Sequence, residues 1–142
     1  MVTSLLNALN EKCNHPDLAK LILRLSIGML LFHGFHKLMS GVGGIGAMLV
    51  AHGVPEFVSY GVYIGEIVAP ILIILGILCR PCAIVVFGTM VVAWLLVDVD
   101  ATFAVDKVGA WAIESLMFYA LMALVVLFVG TGRYSVVSEK WR

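Results

Sequence analysis

Long apolar runs separated by short polar breaks run the length of the chain, and they predict its elements. Four runs stand out, at about 18–38, 58–78, 81–97 and 110–129. Each holds roughly 17–21 residues, which at about 1.5 Å rise per residue crosses a hydrocarbon layer about 30 Å thick. The third run is the shortest and draws on Val99 to complete it. Only Cys79-Arg80-Pro81 separates the second run from the third, so those two helices form an antiparallel hairpin. Pro81 suits the first turn of a helix, where its missing N–H has no helical partner. The expected fold is all-α, an integral membrane antiparallel four-helix bundle, with residues 1–142 forming one domain.

The segments outside these runs carry weaker patterns. Leu5, Leu6 and Leu9 against Asn7, Asn10 and Lys12 predict one or two amphipathic turns on the bilayer surface. Residues 1–17 lack a basic n-region and a small-x-small site, so no cleavable signal peptide is expected. Residues 40–57 contain five glycines and Pro55 and read as a loop, with room for one helical turn over Ile45 to Val50.

Composition narrows the class. Hydrophobic residues make up 62% of the chain and charged residues 13%, and the mean hydropathy is +1.08. Soluble domains carry about 25% charge, so this surface cannot face water, and a soluble enzyme domain is excluded. A formal net charge of zero excludes a nucleic-acid-binding or disordered chain. Three cysteines cannot build a disulfide framework. Lys12, Lys20, Arg24, Arg80, Arg133, Lys140 and Arg142 fall on the side of the termini and the hairpin, leaving only Lys37 and Lys107 opposite. Basic loops stay inside, so both termini should be cytoplasmic in this multi-pass protein. Glu56, Glu66, Asp98, Asp100, Asp106 and Glu114 lie toward the outer face. Trp94 and Trp111 near the outer boundary and Trp141 beyond the inner one suit the aromatic belts.

Ionisable groups inside a bilayer are costly and each needs an explanation. Arg24 either snorkels to lipid phosphates or caps a neighbouring helix. At about 100° per residue, His33, His36 and Lys37 share one face at the outer end of the first span. Glu66 in the second span sits near the depth of His33, with Tyr63 one turn above it, and Glu114 enters a turn into the fourth. His52 and Glu56 lie in the loop above. Two readings compete. In the first, His33 and Lys37 pair with Glu66 and Glu114 in a network that fixes helix packing. In the second, the cluster heads a pocket for a quinone or comparable lipophile, whose oxidised and reduced forms exchange protons with His33 or Glu66. A metal held by His33, His36 and Glu66 is a weaker third reading without a supporting pattern, and no metal site is assigned.

Two motif matches carry little. Gly41-Val-Gly43-Gly-Ile-Gly46 fits the dinucleotide fingerprint, which works only between a strand and a helix. Cys79-Arg-Pro-Cys82 has redox spacing but faces a compartment where thiols stay reduced. Of the small-residue pairs, Gly61-x-x-x-Gly65 alone is a strict close-approach motif.

The order of these features resembles the DoxX family of small bacterial membrane proteins. The likeness rests on Arg24-Leu25 with Gly28, His33-Gly34 with Lys37-Leu38, Gly53-Val-Pro55, Gly65-Glu66, Gly76, Arg80-Pro81 and Gly130-x-Gly132-x-x-Ser135, over roughly 19–136. Cys79 and Val136-Val137 depart from the usual pattern. The resemblance implies a four-helix bundle in the bacterial inner membrane. It also implies a subunit of a quinone-linked oxidoreductase, such as thiosulfate:quinone oxidoreductase or a terminal-oxidase assembly, or a partner in oxidative-stress complexes. His33, Lys37 and Glu66 carry over by position, whereas Glu114 comes from the depth argument. The chain shows no haem, flavin or iron–sulfur motif of its own, so any electron transfer would need a redox partner subunit in a homo- or hetero-oligomer. The alternatives are a non-catalytic membrane adaptor or assembly protein, and a carrier or sensor of a small hydrophobic molecule.

Overall fold

The computed structural model describes residues 2–142. Its elements are α1 (Val2–Cys13), α2 (Pro16–Ser40), α3 (Gly43–Ala51), α4 (Glu56–Leu75), α5 (Cys79–Asp98) and α6 (Glu114–Val129), followed by a 3-10 turn at Glu139–Trp141. No strand occurs among the described residues; one isolated bridge joins Val105 to Trp111. α2, α4 and α5 are long and apolar enough to cross a membrane. α6 is equally apolar, but its 16 residues reach only about 24 Å against a core of about 30 Å.

Several expected boundaries move, each for a local reason. The fourth run does not begin its helix at 110, because the backbone there is committed to a loop. The Asp106 carboxylate accepts bonds from the Val108 and Ala110 N–H groups at 2.8 and 2.9 Å, and the Ala112 N–H reaches back to the Ala104 carbonyl at 3.0 Å. The second run stops at Leu75 rather than 78. Gly76 turns left-handed (φ 81°), and the Ile77 N–H closes on the Leu72 carbonyl at 2.8 Å. This is the glycine-terminated cap that ends many helices. The 40–57 stretch is more regular than expected, since α3 forms between left-handed Gly41 and Gly53. α1 is also longer than one or two turns, and Leu5, Leu6 and Leu9 on it are exposed.

α2, α4, α5 and α6 share one core. Ile27, Ile73, Val86 and Val126 are fully buried in it, and Ala69, Ala83, Ala120 and Ala123 let the helices approach closely. Phe32, Ile84, Leu121 and Phe128 lie on the opposite faces, exposed. An apolar surface of this extent suits hydrocarbon rather than water.

The end of the molecule nearest the hairpin is closed by arginines. Arg24 is 1% exposed, so it caps rather than snorkels. It donates Nε to the Ile73 carbonyl (2.7 Å) and Nη2 to that of Ile74 (2.6 Å) at the end of α4. Its Nη1 serves the Thr131 carbonyl (2.9 Å) and that of Tyr134 in the C-terminal segment. Arg80 does the same for α6, giving Nε to the Leu127 carbonyl at 3.2 Å. Helix C-termini leave carbonyls without intrahelical partners, and these cations satisfy them where negative dipole ends gather. Arg133 instead stacks on the Tyr134 ring at 5.4 Å. Cys79 and Cys82 are free thiols buried in the same region, and Cys13 is free and exposed.

Candidate ligand-binding site

α4 changes its winding where it carries Glu66. A 3-10 stretch, Glu56–Tyr60, leads into one α-turn and then a π-turn over Ile64–Val68, where the Ala69 N–H reaches the Ile64 carbonyl five residues back. Pro70 has no N–H to offer the Glu66 carbonyl four residues earlier, so the regular ladder is already interrupted there. Gly34 of α2 packs against this break: a Cβ on it would lie 2.7 Å from the Glu66 carbonyl oxygen. On the other side a Cβ on Gly65 would fall 1.9 Å from Thr89 Oγ1 of α5. Two glycines thus bring three helices together around one acidic side chain. Single π-turns of this kind recur at functional sites.

The Glu66 side chain is buried, and its Oε1 pairs with Lys37 Nζ in the last turn of α2. Tyr63 braces the same place, donating its hydroxyl to the Lys37 carbonyl at 3.2 Å. Glu66 Oε2 is buried with no protein donor. Both residues line a cavity of about 420 Å³ between α3, α4 and α5. Ile45, Met48 and Leu49 of α3 form one wall, Val58 and Val62 of α4 a second, and Val85, Val92 and Leu96 of α5 a third. Ser59 and Thr89 add hydroxyls to an otherwise aliphatic lining. The volume falls in the range of about 300–1,000 Å³ typical of small-molecule sites, and the make-up, apolar walls with a few polar groups, is typical too.

A profile described as DoxX matches residues 19–99, more than half of the chain. The chain belongs to the DoxX family. No curated protein and no solved structure matched it. The matched region runs from residue 19 to residue 99, so it takes in α2 beyond its first three residues and all of α3 to α5, and stops short of the Gly130-x-Gly132-x-x-Ser135 run. It contains both Lys37 and Glu66, and all the residues that line the cavity.

Within this DoxX chain the six candidate residues divide. Lys37, Tyr63 and Glu66 come together as described. His33 instead sets its ring edge-on to Tyr119 of α6, with centroids 5.8 Å apart. His36 is exposed, and with Phe32, His33 and Lys37 it lines a separate, shallow depression of about 230 Å³. Glu114 is exposed at the start of α6, and Lys37–Glu66 is the one ion pair among the described residues. The expected four-membered network therefore reduces to one pair. The cause is the late start of α6, which leaves Glu114 in its first turn rather than a turn deeper. Among the described residues no three His, Cys, Asp or Glu side chains approach closely enough to hold a metal ion. His52 binds back to the Met48 carbonyl at 2.8 Å, and Glu56 packs beside Gly46.

Sequence reasoning missed α3 as a wall, together with Ser59 and Thr89. The Gly61-x-x-x-Gly65 pair was the available signal: Gly61 lines the cavity and Gly65 seats Thr89. Nothing in a string of letters says which helix such a pair will meet.

Proposed function

We propose that this DoxX protein is a four-helix bundle of the bacterial inner membrane that holds a polar-headed lipophile, a quinone or its reduced form, in the cavity beneath α3. The observation that carries the proposal is the Lys37–Glu66 pair, two charged residues lining an otherwise aliphatic cavity, with Glu66 buried and only one of its carboxylate oxygens partnered. Desolvating a carboxylate is costly, and a structure that leaves half of it unpartnered among apolar walls suits a ligand better than packing alone. The aliphatic lining accommodates a tail, Lys37 and Glu66 meet the head, and Glu66 is placed to take a proton from it. Electrons would pass to or from a partner subunit that forms an oligomer with this chain.

Gly88 offers a clean test, because it lines the cavity and a Cβ there meets nothing within 4 Å. Gly88→Leu should fold as the parent does and fill the space. Binding of radiolabelled decylubiquinol to the purified protein in lipid nanodiscs should fall at least tenfold; unchanged binding would place the ligand elsewhere.

One observation favours a second reading, an adaptor with no ligand: the Lys37–Glu66 pair ties α2 directly to α4. If the pair serves only as a brace, Lys37→Met should destabilise the fold by about 3–5 kcal/mol, since it strands a buried charge. The double variant with Glu66→Gln should restore most of that loss, and neither protein nor parent should bind decylubiquinol.

A further inference from the structure

We propose a second site, where the start of α2 meets the C-terminal segment, that holds the zwitterionic phosphoethanolamine head group of a membrane phospholipid, with Arg133 taking the phosphate and Asp17 the ammonium. A cavity of about 400 Å³ opens there, with Asn14, His15, Asp17 and Leu18 on one side and Arg133 and Tyr134 on the other. Two opposite charges line it, yet their side chains do not pair. Asp17 Oδ1 accepts instead from the Arg133 backbone N–H at 3.1 Å, while Lys37–Glu66 is the one ion pair among the described residues. Left-handed Gly132 permits that approach, since a Cβ on it would lie 3.0 Å from Asp17 Oδ1. Arg133 is exposed, and its guanidinium lies over the Tyr134 ring with no protein acceptor among the described residues. Asp17 Oδ2 has no protein donor either. It is open to solvent, because Glu66 Oε2 is the one buried side-chain atom left without a partner among the described residues.

Charge complementarity selects the occupant. A simple anion would satisfy Arg133 and be repelled by Asp17, and a simple cation would meet the reverse. A zwitterion satisfies both, through charge-assisted bonds at each end. Position selects a lipid as its source. α2 has 25 residues, about 37 Å of helix against a hydrocarbon core of about 30 Å, so its ends emerge among head groups. Through Asn14 and His15 it joins α1, whose exposed Leu5, Leu6 and Leu9 suit the same interface. Leu18 and Ile22 of α2 and Phe128 and Val129 of α6 are exposed on the helices that frame the cavity, and give acyl chains an apolar surface to follow.

Native mass spectrometry of the full chain in detergent, titrated with dioleoyl phosphatidylethanolamine, phosphatidylcholine or phosphatidylglycerol, tests the proposal. The first should bind about tenfold or more tighter than the others, because choline has no N–H for Asp17 and the glycerol head has no cation. Asp17→Asn keeps an oxygen for the Arg133 N–H but removes the charge, so the preference over phosphatidylglycerol should vanish. Arg133→Gln changes an exposed side chain and should fold as the parent does, with affinity for phosphatidylethanolamine lower by about tenfold. Equal binding of the three lipids by the parent would overturn the proposal, as would a preference undiminished in both variants. Binding of water-soluble O-phosphoethanolamine as tight as that of the lipid would overturn the bilayer as the source.

Discussion

At Arg24 a single guanidinium reaches carbonyls 49 to 110 residues away in the chain. Its planar fork suits several acceptors arranged around it, which a flexible ammonium cannot serve together. Arg24→Lys keeps the charge and loses the fork. It should lower unfolding stability by about 2–4 kcal/mol in detergent denaturation curves, because buried carbonyls of α4 and the C-terminal segment lose their donors. A curve matching the parent would show that these carbonyls find other partners. The residue was legible in the sequence as a costly intramembrane cation, and capping was one of its two readings. Its acceptors were not legible, since they come together only when α4 ends at Leu75 and the C-terminal segment folds back over it. Lys37 and Glu66 divide the same way: residue types and rough depth could be read along the chain, but their pairing, and the desertion of His33 and Glu114, depended on how far each helix turns before it ends.

Elements are set by local chemistry that the apolar pattern only partly records. Apolar length located all four long helices, while their ends moved by a few residues to follow Gly76, the Asp106 loop and Pro55. The contact between α4 and α5 is decided by the absence of a side chain at Gly65, where Thr89 fills the place a Cβ would occupy. Gly65→Ala should therefore push α5 away from the π-turn and cost about 1–3 kcal/mol. Thr89→Ala in the same protein should recover part of the loss by removing Oγ1 and Cγ2, leaving the Cβ contact at 2.7 Å. A double-mutant cycle on thermal unfolding measures that coupling, and simple additivity would show that the two residues do not touch. α3 marks where pattern failed altogether. Its glycines read as loop, yet with Gly41 and Gly53 taking the left-handed positions at its two ends, the apolar residues between them are free to wind into a helix and wall the cavity.

For the whole molecule, topology makes a prediction independent of any ligand. The start of α2, the α4–α5 hairpin and the C-terminal segment meet at one end, as the bonds from Arg133 to Asp17, from Arg24 to Ile73 and Thr131 and from Leu78 to Trp141 require. With the basic residues concentrated at that end, Cys13 should react with a membrane-impermeant maleimide in inside-out vesicles and be protected in intact spheroplasts. Cys79 and Cys82 should stay unlabelled in both until the protein is denatured, because they are buried. Labelling of Cys13 from outside would reverse the orientation. What the sequence determined unaided was the solvent of the protein, its helical class and the neighbourhood of its polar groups, because hydrophobicity and helical rise act locally and add up along the chain. What the tertiary structure alone decided was which acid meets which base and where space is left between helices. Those outcomes turn on contacts between distant segments, at Gly34, Gly65 and Arg24, where a change of one carbon atom or one helical turn sends a side chain to a different neighbour.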